Sequence, residues 1–220
     1  MNNLHFDVDL QYSDAQLTKH ILESLAKEVT GRLQKAARPI EVATRRILVE
    51  YIHNSPTYQA MLTGDLRSEL GLENAEQDLA QITRIIQSSV HITHKHTSVS
   101  QNGINGGFFL YAIQSDYQDL LNSEAASYSY FSKKKNKDVE IHWLDWMLTH
   151  GDRIIVLEHE LEVKPEFSRT DKYIMTKRGV GWKVPSQYSG IITDNFITKS
   201  IAQLEQPLED LIISELNKVF

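Results

Sequence analysis

Cysteine is absent from the 220 residues of this chain. Without thiolates, the chain contains no disulfide, no cysteine-ligated zinc site and no cysteine nucleophile. A chain without disulfides suits a reducing compartment such as the cytoplasm. Any metal would therefore have to be held by histidine and carboxylate side chains.

Long hydrophobic runs are also absent. A helix that spans a membrane needs about 20 consecutive apolar residues, and no stretch of this chain approaches that length. The opening stretch MNNLHFDVDL has neither the basic segment nor the apolar segment of a signal peptide. With 41% hydrophobic and 24% charged residues, the composition predicts a soluble globular protein with one core and an extension.

The chain has no excess of positive charge. Its formal net charge is −6 at pH 7, whereas proteins that coat nucleic acid are usually basic. An acidic protein repels phosphate at a distance unless its basic groups cluster. We therefore expect little binding to free duplex DNA at physiological salt.

The common catalytic motifs are missing as well. The sequence contains no HExxH, no GxSxG and no Walker phosphate loop. The glycine-rich stretch GINGGF (103–108) lies between two predicted strands, so no helix N-terminus follows it to bind an anion. The common motifs therefore give no sign of a catalytic or phosphate-binding site.

Helices are predicted for almost all of the first 87 residues. A capping box of Ser13 and Gln16 begins an amphipathic helix over 13–37, and Pro39 is expected to interrupt it. A second helix follows at 40–53, and shorter ones follow over 57–62 and 63–71, where Gly71 is the expected C-cap. A further helix begins near Asn74. We predict an N-terminal helical region (1–54) and an α+β region (55–220), joined in one continuous unit.

Strands dominate the sequence after residue 88. The stretches SVHITHKHTSV and GGFFLYAI (106–113) predict a hairpin across the turn QNGING. Further strands are predicted in ASYSYFS (126–132), VEIHW and RIIVLEHELEV (153–163), and KYIMTKR and GWKVP predict a second hairpin. A short helix is predicted in WLDWMLTHG (143–151), and a long C-terminal helix from Asp194 should be kinked or split at Pro207. This order predicts an α+β fold with N-terminal helices, a largely antiparallel sheet and a long C-terminal helix.

Three histidines lie within six residues of the first predicted strand: His91, His94 and His96. Alternate strand residues share a face, so only His94 and His96 point the same way. A catalytic zinc site needs three protein ligands, and the sequence does not place a third beside them. The favoured interpretation is a strand whose outer end is exposed to solvent. The alternative is a metal-dependent hydrolase that uses His94, His96 and a carboxylate.

A row of carboxylates lies on one face of the strand LEHELEV. Glu158, Glu160 and Glu162 alternate with apolar residues there. Paired carboxylates perform acid–base catalysis when their surroundings separate their pKa values. The simpler interpretation, which we favour, is that the row is the solvent side of an amphipathic strand.

Two aromatic stretches are rich enough to suggest a protein–protein interface. Trp143, Trp146 and Met147 fall within about one turn of the short helix WLDWML, which is too apolar to face inward entirely. Tyr128 and Tyr130 share one face of the strand SYSYF. Because exposed aromatic residues are enriched at protein interfaces, we expect these five residues to contact another subunit.

Two longer segments carry a resemblance to a known family. The first is SPTYQAMLTGDLRSELGL (55–72), with the core Thr63-Gly64-x-Leu66-Arg67, and the second is GWKVPSQYSGIITDNFITKSI (181–201). The intervening WLDWMLTHGDRIIV adds to it. Together they resemble the neck and tail-completion proteins of tailed bacteriophages, a family of head–tail connector and tail-terminator-like proteins.

This resemblance implies a structural virion protein that forms a homo-oligomeric ring at the head–tail joint. It implies no enzymatic activity and no cofactor. Its partners would be adjoining connector, tail tube or sheath proteins. It would be assembled in the host cytoplasm, and DNA would pass through the ring without specific binding.

The resemblance also gives expected roles to particular residues. Arg67 would anchor a carboxylate in the same or the next subunit, and Gly64 would supply a positive φ or a close approach. Either the row of Glu158, Glu160 and Glu162 or the acidic C-terminal helix would face the channel and repel phosphate.

Other functions stay open at this stage. The chain could be a different virion component, such as a tail tube, terminator or head-adaptor subunit. The hydrolase that uses His94 and His96 belongs to another class. A plain cytosolic adaptor, such as a regulatory or antitoxin-like module, is the last alternative.

Overall fold

The computed structural model describes residues 12–100, 103–113, 116–132, 136–151, 153, 160–162, 174–176 and 182–220. At residues 96, 130–132, 160–162 and 174–176 it describes the backbone alone. Most of the predicted strand over 153–163 therefore lies outside the described residues, as does the turn of the second predicted hairpin.

One helix, α1, spans Asp14–Asn54, which is 41 residues or about 60 Å of helix. The predicted capping box begins it. The Gln16 N–H donates to Ser13 Oγ, and the Ser13 N–H donates to Gln16 Oε1. At the other end, the Ser55 N–H donates to the Ile52 carbonyl and closes the last turn.

The predicted break of this helix at Pro39 is wrong, because α1 continues through it. A proline inside a helix leaves the carbonyl one turn earlier without its donor. Pro39 is exposed, so that carbonyl faces water. On the opposite side Ala36, Ala37 and Ile40 are buried, and this packing keeps the helix continuous.

Three shorter helices follow α1, and all of them were predicted. They are α2 (Pro56–Leu62), α3 (Asp65–Leu70) and α4 (Ala75–Ser89). Gly71 ends α3 in the left-handed conformation with φ 74°, as expected of a C-cap glycine. The predicted apolar stripe of α4, namely Leu79, Ile82 and Ile86, is buried.

The described strands form three two-stranded antiparallel sheets. The first joins β1 (His91–Ser100) to β2 (Gly103–Tyr111), with His91 opposite Tyr111 and Ser100 opposite Gly103. The predicted turn was too long, because β2 already begins at Gly103. A second hairpin joins β3 (Tyr128–Ser132) to β4 (Lys137–Ile141).

The third sheet joins β5 (Glu160–Glu162) to β6 (Ile174–Thr176), so the LEHELEV segment is a described partner of the predicted strand KYIMTKR. The predicted hairpin of KYIMTKR with GWKVP stays a prediction, because residues 177–181 lie outside the described residues. Of the described residues 182–185, Trp182 forms an isolated β-bridge and the other three form no strand.

The remaining helices are α5 (Gln118–Leu121), α6 (Trp143–Thr149), α7 (Phe196–Ala202) and α8 (Glu205–Asn217). The C-terminal helix is split as predicted, but the division falls at residues 203–204, before Pro207. Pro207 itself lies in the first turn of α8, where its missing N–H costs no helical hydrogen bond.

The core combines residues from both sides of the predicted boundary at residue 54. Leu48 and Ile52 of α1 belong to the same buried cluster as Leu79 of α4, Trp143 of α6 and Phe196 of α7. The fold is α+β, as predicted. None of the helices in the described ranges is long and apolar enough to cross a membrane.

Candidate functional site

The short helix α6 was expected to present apolar residues to another subunit, and for two of them that expectation is wrong. Trp143 and Met147 are 0% exposed. Trp143 Nε1 donates to the Ala125 carbonyl at 2.9 Å, which satisfies the indole inside the core. Leu144 and Leu148 are buried as well, so most of the apolar surface of this helix is turned inward.

Trp146 and Tyr128 lie at the border of the core. Trp146 is half-buried, and its ring centroid lies 6.0 Å from that of Trp182. Tyr128 is also half-buried, and its hydroxyl donates to the Leu70 carbonyl at 2.8 Å. Both keep some surface for a partner, while the side chain of Tyr130 lies outside the described part of the chain. Their interface role stays a prediction.

Arg67 and Gly64 stabilise the turns at the two ends of α3. Arg67 donates from Nε to the Leu72 carbonyl at 3.1 Å and from Nη2 to the Glu73 carbonyl at 2.9 Å. Its hydrogen bonds to described residues of the same chain go to these carbonyls and not to a carboxylate. A carboxylate of the next subunit, the other expected partner, stays a prediction. Gly64 has φ −91°, so the positive φ was wrong and the close approach was right. A Cβ there would lie 2.9 Å from Ala60 Cα.

The histidine and glutamate hypotheses are not tested by the geometry. His94 is exposed and the side chain of His96 is not described. The register of the hairpin also shifts between Lys95 and Ser98. Among the described residues, no three His, Asp or Glu side chains cluster closely enough to hold a metal ion. Glu160 and Glu162 are described as backbone of β5 only, and Glu158 lies outside the described residues.

The first turns of α1 expose an apolar surface that the helix prediction had assigned to packing. Leu17, Ile21 and Leu25 follow one another at intervals of four residues, so they lie along one side of the helix. They are 47%, 52% and 45% exposed. We call these three residues the apolar stripe. Over residues 14–35 of α1, Ala26 alone is buried.

A groove of about 1,210 Å³ runs between α1 and the tip of the first hairpin. Leu22, Ala26 and Thr30 line it from the helix, and Val99 lines it from β1. Thr30 Oγ1 donates to Thr97 Oγ1 at 2.6 Å and ties the hairpin to the helix. The groove and the apolar stripe therefore belong to the same end of the molecule.

A tight turn before α7 presents two further exposed apolar residues, Ile191 and Ile192, at 50% and 49% exposure. The buried side chain of Asn195 holds this turn. Its Nδ2 donates to the carbonyls of both isoleucines, and its Oδ1 accepts the N–H groups of Ile197 and Thr198. The turn is therefore well ordered although its two large side chains face solvent.

Burial shifts the pKa of several ionisable side chains. It raises the pKa of Tyr58, Glu69, Asp78 and Tyr117 and lowers that of His53. Glu69 accepts a 3.4 Å hydrogen bond from Trp182 Nε1. The His53 ring lies 4.6 Å from that of Tyr58, and its buried Nε2 has no hydrogen-bond partner among the described residues. Because no hydrogen bond between described residues links these two rings, their contact lacks the geometry of an acid–base pair.

The amphipathic pattern predicted over residues 13–37 includes Ile21 and Leu25, and such a pattern predicts a buried face. The sequence analysis therefore found these apolar residues but not their exposure. Charge does not distinguish the two halves of α1. Lys19, Glu23 and Lys27 surround the stripe, and the later, buried turns carry charges as well, among them Arg38 and Arg46.

Comparisons of the chain with known protein families, with curated proteins and with solved structures find no match.

Proposed function

We propose that this protein is a self-assembling structural subunit. From the resemblance of residues 55–72 and 181–201, we propose that it is a virion protein of a tailed bacteriophage. It forms a ring at the head–tail joint, as a neck or tail-completion component around the DNA channel. It performs no catalysis in this role.

The observation that carries the proposal is the exposed first half of α1. Most of the stability of a helix in a protein comes from tertiary packing of its apolar face, yet residues 14–35 bury only Ala26 within the chain. The apolar stripe lies along that half. Exposed apolar surface next to polar surface is typical of protein–protein contact sites. A second copy of the chain would cover the stripe and stabilise the helix.

Identical subunits joined through unlike surfaces close into rings when the rotation between neighbours allows it. Further exposed apolar residues, including the Ile191–Ile192 turn and Phe109 with Tyr111 on β2, lie outside the stripe. Several separate contact surfaces suit a subunit that touches two neighbours and the adjoining layers of the virion. The formal net charge of −6 favours a channel that lets DNA slide past.

The mass of the purified protein in solution tests self-assembly, and electron microscopy of the assembled particles tests the ring. We expect association that rises with concentration and a closed particle with a central opening. A protein that stays monomeric at all concentrations, alone and with connector or tail tube proteins, would contradict the proposal.

Further measurements distinguish this proposal from the other functions considered above. Position along the virion distinguishes a neck ring from a tail tube, terminator or head-adaptor subunit. A hydrolase would instead retain about one equivalent of metal through dialysis and lose activity in His94→Ala.

A further inference from the structure

The outward face of α1 carries cations that have no partner among the described residues. Lys35, Arg38 and Arg46 are exposed, and none of the three forms a hydrogen bond or an ion pair with the described residues. Arg32 and Arg45 differ, because both donate to main-chain oxygens of distant residues. The first three are therefore available to a partner.

An apolar residue lies in the middle of these cations. Val42 is 57% exposed, four residues after Arg38 and four before Arg46. Residues four apart are neighbours on one helix face, about 6 Å along the axis. We call Lys35, Arg38, Val42 and Arg46 the basic stripe. It lies on the side of α1 opposite the buried Ile40 and Thr44.

The exposed side of α8 has the reverse composition. Glu205, Glu209 and Asp210 are exposed and have no cationic partner among the described residues, and residues 200–217 contain no Lys or Arg. Ile213, four residues after Glu209, is 49% exposed. We call Glu205, Glu209, Asp210 and Ile213 the acidic face. Helix α8 has no buried residue, so a partner would cover surface that the chain itself leaves open.

We propose that the acidic face of one subunit binds the basic stripe of the next. Glu209 lies four residues from Ile213 on α8, and each of the two arginines lies four residues from Val42 on α1. When Ile213 packs against Val42, the equal spacing brings Glu209 beside one of these arginines. The two surfaces belong to different parts of the chain. The contact is therefore head-to-tail and propagates from subunit to subunit. This inference rests on the proposed self-assembly and names the surfaces that produce it.

A second copy fits the basic stripe better than duplex DNA does. Proteins that grip duplex DNA typically neutralise about 6–10 phosphates, whereas this stripe offers three cations on a chain of net charge −6. The exposed Val42 at its centre gains nothing from phosphate and gains from contact with Ile213. Exposed ion pairs add little affinity, but they select the partner and its orientation.

Charge-reversal variants of the full-length chain test the contact. One variant is Arg38→Glu with Arg46→Glu, the other is Glu209→Lys with Asp210→Lys, and Arg84→Glu on α4 is the matched control. Sedimentation velocity measures self-association at low and high salt. We expect each double variant alone to show a roughly 100-fold weaker association, because like charges then face each other. The control should associate as the wild type does.

Mixing the two double variants is the decisive arm. In the mixture every contact pairs opposite charges again, so association should return to within about three-fold of the wild type. A variant that carries all four substitutions should likewise self-associate. Circular dichroism of each variant shows that the helices are intact, so a folding defect cannot imitate the loss.

Three results would overturn the inference. They are wild-type association in both double variants, failure of the mixture to recover, and loss of duplex DNA binding in Arg38→Glu/Arg46→Glu with association unchanged. The first two would leave self-assembly standing through other surfaces. A monomeric wild type under all conditions would instead remove the proposed function itself.

Discussion

The two halves of α1 belong to one helix but differ in their surroundings. Residues 36–54 pack into the core through Ile40, Leu48 and Ile52, which are at most 1% exposed. Residues 14–35 contact the tip of the first hairpin and the C-terminal residues, yet they leave Leu17, Ile21 and Leu25 open. Helical periodicity therefore gives both halves an apolar face. Only the face of residues 36–54 is covered by other segments of the same chain.

The two halves of α1 should therefore contribute to different properties: the buried half to the stability of the fold, and the exposed half to self-association. The buried half contributes apolar burial that stabilises the fold, at about 25 cal/mol per Å². The exposed half contributes surface that becomes stabilising only when a partner covers it. Substitutions in the two halves should therefore change different measurements.

The largest expected difference in stability is between two substitutions to alanine, one in each half of α1. Ile40→Ala should lower the free energy of unfolding by about 2–5 kcal/mol, because it leaves a cavity in a packed core. Ile21→Ala should change it by less than about 0.5 kcal/mol and weaken self-association. Urea denaturation at low protein concentration and sedimentation compare the two. Equal destabilisation would show that the stripe is covered within the chain.

Trp146→Ala tests the border between core and surface. Half of this side chain packs on Trp182, so we expect a loss of about 1–2 kcal/mol and a soluble monomer that assembles poorly. Trp143→Ala is the contrast and should cost about 3–5 kcal/mol. A Trp146→Ala protein that misfolds outright would place this residue in the core and remove it from the candidate interface.

Pro39→Ala tests the junction of the two halves. Alanine restores the hydrogen bond to the carbonyl one turn earlier and is the better helix former. It also increases the conformational entropy of the unfolded chain, which offsets part of the gain. We expect a net gain of about 1 kcal/mol in the free energy of unfolding, measured by thermal denaturation. Pro207→Ala is the matched control, because that proline lies in a first turn and its replacement should gain less. A loss of stability in Pro39→Ala would show that the restriction proline places on the unfolded chain outweighs the restored hydrogen bond.

The smallest effect concerns the last turn of α1. Burial lowers the pKa of His53 below its usual 6.5, so folding favours the neutral ring. This contribution is complete above pH 6.5 and is lost as the pH falls from 6.5 through the folded pKa. We expect the Tm to fall by about 1–2 °C more in the wild type than in His53→Gln between pH 7 and pH 5. A Tm that depends on pH equally in the wild type and in His53→Gln would contradict this prediction.

Local signals predicted the elements well and the site poorly. The capping box at Ser13, the Gly71 C-cap and the first hairpin were all confirmed, because each depends on hydrogen bonds between residues close in sequence. Trp143 and Met147 were assigned to an interface and lie in the core. The burial of the seven residues of α6 depends on which distant segments pack around them, and the sequence of the helix does not contain that information. Asn195, which holds the Ile191–Ile192 turn, was not singled out, although its capping box with Thr198 is a local signal. Its hydrogen bond to Tyr117, far away in sequence, had no such signal.

The sequence by itself determined where most helices begin and end, which strands form the first hairpin and that the chain is α+β. Helix capping, turn formation and hydrophobic periodicity depend on residues close in sequence. The elements that they specify can therefore be predicted without a structure. Only the tertiary structure decided that α1 continues through Pro39, that α6 is buried and that the first turns of α1 are left uncovered. Burial is a property of contacts between distant segments, and no local pattern specifies which segments will meet.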